Sequence, residues 1–383
     1  DLYMNYFYFF FFLVLSVLIL IKPFTNIISN WVMQSKKLTI TGVIILLTGA
    51  LCLYISLTYE FWYERVWLIV TFVIGIALLI RGFVTIFFFK KIKRMLPYFM
   101  SNYYKFSIPI SLVLVYVSIL IVSNDYIGPQ KDISSCTSDK DISVICNFFN
   151  PEDIVITPDR KFLLMSEFGG IGPYEEQKPG FFALLNLKTG KRIIPNITIA
   201  NNSWGDPSCK RTYEEQYGPH GIDLVERNDG KLQLGVVSHY PNETIEMFEL
   251  IKTNESWNFI WRGCVDVPYK YYFNDISLKK DGSFFASHMY ERDITLNEWL
   301  LASLLKRNTG YLVEWNNNLF KKVPETEGSG PNGIALDEKS NIIYINYNQG
   351  DKIVSFDLLK NKKIISTFIE APDNPYIDNN FIW

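Results

Sequence analysis

Gly218-Pro219-His220-Gly221-Ile222-Asp223-Leu224, the polar turn Arg227-Asn228-Asp229-Gly230 and an apolar run ending in Val236-Val237-Ser238-His239 form one copy of a recurring unit. Other copies begin at Pro151-Glu152-Asp153-Ile154, at Phe273-Asn274-Asp275-Ile276, at Pro331-Asn332-Gly333-Ile334 and, cut short, at Ile377-Asp378-Asn379. Each sets a pair of oxygen-bearing or small residues ahead of an apolar one, and the complete copies continue through a polar turn into a strand. A recurrence of roughly 45 to 70 residues with several short strands per unit is the pattern of a β-propeller. Chemistry is expected in the pair that heads each unit.

Outward from these units, the 383 residues divide unevenly. The chain is 49% hydrophobic and 16% aromatic, and the apolar content is densest in its first third. The expected organisation is a transmembrane region of about four helices over residues 1–124, a linker over 125–145 and an all-β propeller over 146–383. The chain opens on Asp1, with Met4 as an alternative start, and stops at Trp383 inside the fifth unit. Since four and a fraction units close no ring and would leave an open sheet edge, it reads as a piece of a longer protein. A net charge of -2 implies no nucleic-acid partner.

The membrane region rests on four apolar runs, about Tyr6 to Ile21, Leu38 to Leu57, Val66 to Phe89 and Phe106 to Val122. Each is near the ~20 residues that cross a hydrocarbon core. The first lacks a basic leader and a small-residue cleavage site, so it reads as a retained span. Lys22, Lys36 and Lys37 lie between runs one and two, and Lys90, Lys91, Lys93, Arg94 and Lys105 between three and four. The positive-inside rule makes both loops cytoplasmic, which turns the propeller towards periplasm, lumen or cell exterior. Arg81, inside the third run, reads as a side chain snorkelling to the interface.

Cys136, Cys146, Cys209 and Cys264 fall on the outward side, as an oxidising compartment allows, and four thiols permit three pairings. Asn196, Asn201, Asn242 and Asn254 head glycosylation triplets that matter only in a eukaryotic host. Short strands dominate beyond Asn150. The one expected helix of this region runs from Asn297, its cap, to Arg307.

The heading pairs are Glu152-Asp153, Asn274-Asp275, Asn332-Gly333 and Asp378-Asn379, with Pro219-His220-Gly221-Ile222 as the odd one. Innermost propeller strands line the central channel, so these positions converge on one axis, and neighbours in an extended segment point apart. Oxygen donors without thiolate or clustered imidazole select a hard cation of calcium type. One ion is expected at Glu152, Asn274, Asn332, Asp378 and Asn379. A second, more buried, is expected at Asp153, Asp275 and the backbone carbonyl of Ile222. A lone Asn-Asp or Asn-Gly pair is usually a turn; four in register of a repeat argue for metal ligation.

From about Cys146 to Asn379 the chain resembles the paraoxonase/arylesterase family, itself related to gluconolactonase and strictosidine-synthase-like propellers. The resemblance lies in Pro151-Glu152-Asp153, Pro219-His220-Gly221-Ile222, Val237-Ser238-His239 with Thr244-Ile245-Glu246-Met247-Phe248, Asn274-Asp275-Ile276, Asn332-Gly333-Ile334 and Asp378-Asn379. It implies a six-bladed propeller, a catalytic calcium at the first ligand set, a structural calcium at the second, and a catalytic pair matched by His220 and His239. A neutral imidazole can deprotonate water and a second can share the proton, giving His220 the part of base and His239 that of partner. His288 follows the strand Phe284 to Ser287 and is read as non-catalytic. Ser238 stands where the family usually has Asn. The family also joins an N-terminal cysteine to one near the C-terminus, a role for Cys146 or Cys136 with a partner beyond Trp383, and it has a single N-terminal helix where this chain has several spans.

The expected activity is that of a membrane-anchored, calcium-dependent hydrolase of lactones or aryl and carboxylic esters, acting on a small-molecule substrate. The alternative is a calcium-stabilised propeller that only binds a ligand or partner.

Overall fold

A computed structural model describes residues 2–35, 38–60, 62–123, 135–138, 140–141, 143–170, 172–173, 176–212, 216–254, 256–316, 318–378 and 381–383. It divides into two compact units, Asp1–Ser135 and Cys136–Trp383.

The first unit is helical: α1 (Leu2–Leu18), α2 (Lys22–Gln34), α3 (Thr39–Thr58), α4 (Val66–Phe87), α5 (Phe89–Ser101) and α6 (Tyr103–Val122). Three of them, α3, α4 and α6, are long and apolar enough to cross a membrane. The expected first span is instead α1 followed by α2 at a bend of 83°, so the count is three, or four if the bent pair is one span. Pro23 in the first turn of α2 suits a helix start but cannot continue the one before it. The two basic connections are thus largely helical. Lys93 of α5 donates to the Met33 and Ser35 carbonyls at 2.7 and 2.6 Å, neutralising the C-terminal end of α2. Lys36 and Lys37 lie outside the described residues. Arg81 is exposed on α4.

Helices α3 and α4 meet along glycines spaced by seven. A β-carbon on Gly49 would stand 2.9 Å from the Gly75 carbonyl oxygen, and one on Gly82 2.9 Å from the Gly42 carbonyl oxygen. Without side chains at the seam the two backbones touch, as apolar helices do where no hydrophobic force drives them together.

The second unit is a β-propeller, with four blades among the described residues. The first is β1 (Pro151–Ile156), β2 (Phe162–Glu167), β3 (Phe181–Asn186) and β4 (Arg192–Ile193), an antiparallel meander from inside to outside. After β5 (Ile197–Ile199), the second runs β6 (Pro219–Glu226), β7 (Leu232–Ser238), β8 (Thr244–Lys252) and β9 (Trp257–Asp266), with β5 added parallel to its outer strand. The third is β10 (Phe273–Leu278), β11 (Phe284–His288), β12 (Tyr311–Asn316) and β13 (Leu319–Lys322). The fourth is β14 (Pro331–Asp337), β15 (Ile342–Tyr347), β16 (Lys352–Asp357) and β17 (Lys362–Phe368). A hairpin of β18 (Ile377–Asp378) and β19 (Phe381–Ile382) follows. The sequence repeat therefore marks the inner strands correctly at Pro151, Pro219, Phe273 and Pro331.

The core is layered between blades because strand side chains alternate in direction. In β8, Phe248 and Leu250 face Phe182 and Phe162 of the first blade, while Ile245 and Met247 face Phe273 and Ile276 of the third. Leu312 and Phe285 likewise join Ile343, Ile345 and Phe356 of the fourth.

Two expectations are corrected. The helix inserted after β11 is α7 (Leu296–Leu304), capped by Thr295 and not Asn297. Thr295 and Glu298 form a reciprocal capping box, which satisfies two backbone donors that Asn297 could not reach from inside the helix. The disulfides are Cys136–Cys146 and Cys209–Cys264, so neither early cysteine is free to close the ring.

Candidate active site

Each inner strand carries a register shift where its heading pair lies: Pro151/Asp153 in β1, Pro219/Ile222 in β6, Phe273/Ile276 in β10 and Pro331/Ile334 in β14. A β-bulge re-aims the residues within it. Four bulges at one level turn Glu152, His220, Asn274 and Asn332 from the sheets towards the channel.

Below this level the blades are fastened by carboxylates. Asp153 accepts the Ile154 and Ile222 amides at 2.7 Å each, and Asp275 accepts the Ile276 and Ile334 amides, also at 2.7 Å. Asp223, one tier further on, accepts the Leu224 and Leu278 amides at 2.8 and 2.7 Å. Each acid thus ties its strand to the inner strand of the next blade. The next position must be empty: a β-carbon on Gly221 would lie 2.5 Å from Asp275 Cα, and one on Gly333 2.6 Å from Asn374 Cα. Asp and Gly alternate around the axis for that reason. These tiers line a channel cavity of ≈ 200 Å³.

At the upper level the oxygens are unspent. Glu152 Oε2, Asn274 Oδ1, Asn332 Oδ1 and Asn374 Oδ1 are buried without a hydrogen-bond partner among the described residues. Asn374 donates its amide to the Glu152 carbonyl at 2.9 Å, and Asn274 turns its own amide nitrogen to Met289 Sδ at 3.8 Å, leaving its oxygen bare. Asp373 is held by Asn346, which donates to its carbonyl, and is close enough to raise Glu152 electrostatically.

At the fifth pair, Asp378 pairs with the exposed Arg160 guanidinium at 3.2 Å, and Asn379 lies outside the described residues. Asp373 and Asn374 are the residues that lie beside Glu152. The readable signal was Pro372, since a proline precedes the pair in three other copies, at Pro151, Pro219 and Pro331.

The acids of the cluster are all shifted in one direction. Burial first, then Asp153 and Asp373, hold Glu152 well above the usual carboxylate range. Burial pushes Asp153 up to about 7 despite the amides it accepts, and burial together with Asp153 raises Asp275 well above its ordinary value. Partial desolvation also raises Asp373, although the residue as a whole is exposed. Among the described residues none of these four has a Lys or Arg partner. Nor do three His, Cys, Asp or Glu side chains there assemble into a metal-binding group. The donors are a mixture of carboxylates and amides, which fits a hard cation such as calcium. Orphaned oxygens and unneutralised carboxylates are what bound calcium would relieve. Asp153 and Asp275 also come together, but their oxygens are already engaged by amides, and Ile222 meets Asp153 through its own amide.

His220 and His239 are brought together beside this cluster, with ring centroids 5.1 Å apart. Phe168 packs against both, and Tyr272 against His239. His220 Nδ1 lies 2.7 Å from the Asn274 carbonyl, and its Nε2 3.4 Å from Glu152 Oε1. Burial, with His239 second, pushes His220 down to about 3, so its ring is neutral. His239 Nδ1 faces Glu243 at 2.8 and 2.9 Å, a partner that sequence reasoning missed. His288 Nδ1 accepts the Tyr272 amide at 3.0 Å, and burial lowers it to about 4.

A family model described as Arylesterase matches residues 149–369, more than half of the chain and all four blades. Comparison with curated proteins finds no match. Among solved structures the chain is similar to a luciferin-regenerating enzyme, at 11% identity over 57% of this chain and 60% of that one, with a TM-score of 0.34. It is similar to the periplasmic gluconolactonase of Pseudomonas aeruginosa at 14% identity, over 58% and 55% of the two chains, with a TM-score of 0.32. A protein from Desulfotomaculum acetoxidans is 16% identical over 62% and 75%, with a TM-score of 0.30. The chain thus spans less than two thirds of the first two. From the match across its four blades, the chain belongs to the arylesterase family.

Proposed function

We propose that this chain is a membrane-anchored, outward-facing, calcium-dependent hydrolase of lactones or aryl and carboxylic esters. The observation that carries the reading is the set of four buried, unpartnered oxygens beside a histidine pair. Glu152, Asn274, Asn332, Asp373 and Asn374 would hold one calcium, with Asp373 and Asn374 in place of Asp378. Asp153, Asp275 and the Ile222 carbonyl would hold a second, structural one, whose charge offsets their mutual repulsion. When bound at the first set, calcium supplies Lewis acidity towards an ester carbonyl. The residues of the chain do the rest. His220 and His239 take and return the proton of the attacking water. Phe168 and Tyr272 wall the pair and limit the water that reaches it. The three or four apolar helices serve as anchor.

The test uses the whole chain in detergent, assayed on an aryl acetate and a lactone in calcium and in excess chelator. Turnover should vanish with chelator, and His220→Gln should lower it by about 10²-fold or more while the melting temperature holds. A melting temperature that responds to calcium without turnover on any ester would favour the binding module instead.

A further inference from the structure

The two histidines are held differently. His220 Nδ1 meets the Asn274 carbonyl, and its Nε2 lies 3.4 Å from Glu152 Oε1. His239 Nδ1 lies against the Glu243 carboxylate, while its buried Nε2 has no partner among the described residues. A carboxylate only accepts, so Nδ1 carries the hydrogen, and in a neutral imidazole Nε2 then carries the lone pair.

Glu243 is itself built in. It is buried on the turn between β7 and β8, its carbonyl accepts the Val267 amide at 3.1 Å, and Gln177 donates to its Oε1 at 3.0 Å. The same Gln177 nitrogen lies 3.3 Å from the Tyr272 hydroxyl, and the Tyr272 ring packs on His239. Ring and carboxylate are therefore held by one network.

We propose that Glu243 is a positioning residue that fixes His239 in its Nδ1–H form, making His239 Nε2 a proton acceptor for the attacking water. The inference rests on the hydrolase reading above. In the step it describes, Nε2 takes a proton from water as the water oxygen bonds to the carbonyl carbon. The imidazolium, stabilised by Glu243, then gives that proton to the leaving oxygen as the ester C–O bond breaks.

The test compares Glu243→Gln, Glu243→Asp, His239→Gln and His220→Gln in the whole chain with calcium. Glu243→Gln should lower kcat by about 10²- to 10⁴-fold with KM and melting temperature little changed, and Glu243→Asp should restore part of it. Independently of activity, nitrogen NMR of the chain, which has only three histidines, should show His239 protonated at Nδ1 in the wild type and a mixture of forms in Glu243→Gln. A wild-type His239 protonated at Nε2 would overturn the assignment. So would full activity in Glu243→Gln and His239→Gln alongside loss in His220→Gln, a result that leaves the hydrolase itself standing. A wild type inert to every ester would instead bring down the hydrolase reading.

Discussion

A carboxylate paired with a guanidinium has its charge met, whereas one set beside another acid without a basic partner is a candidate ligand for a cation. Asp378 is of the first kind, bound to an Arg160 whose side chain is 60% exposed, and Asp373, itself exposed but near enough to raise Glu152, is of the second. Calcium should therefore raise the melting temperature of the wild type, with a smaller rise in Asp373→Asn and Asn332→Ala. Asp378→Asn should leave the calcium response unchanged and cost at most about 1 kcal/mol, as exposed ion pairs do. A thermal melt across a calcium titration reads all three, and an Asp378→Asn chain that lost its response would return that residue to the ligand set. Glu152, Asn274 and Asn332 were legible because each heads a repeat. Glu243 was not, because nothing in its local sequence says that the turn after His239 folds back onto the ring.

Among elements, the bulged inner strand makes the site and the glycine seam makes the helical hairpin. Both depend on backbone brought closer than a side chain permits. Gly49→Leu would push a branched side chain into the Gly75 backbone, so the α3–α4 pair should separate and the helical unit melt at lower temperature. Thermal unfolding in detergent, followed by helical circular dichroism, measures this, and an unchanged melt would remove the seam from the account. The apolar runs announced α3, α4 and α6. They did not announce α2, where Pro23 restarts a helix after an 83° bend, because hydropathy counts residues and carries no direction.

For the molecule as a whole, the two units differ in what should stabilise them. Calcium should raise the transition of the β unit and leave the helical unit where it is, since the buried, unneutralised carboxylates described here all lie in the former. Far-ultraviolet melts resolved into strand and helix components would show one moving transition; two that move together would mean the units unfold as one. The repeat of paired residues and apolar strands determined, from sequence alone, the propeller, the starts of its inner strands and most of its converging oxygen donors. Periodicity is a local property, and a blade is built locally. Three things were decided only by tertiary structure: that Asp373 lies beside Glu152, that Cys136 pairs with Cys146, and that Glu243 holds His239. Each is a meeting of segments brought together by the path of a loop, which the pattern along the chain does not encode.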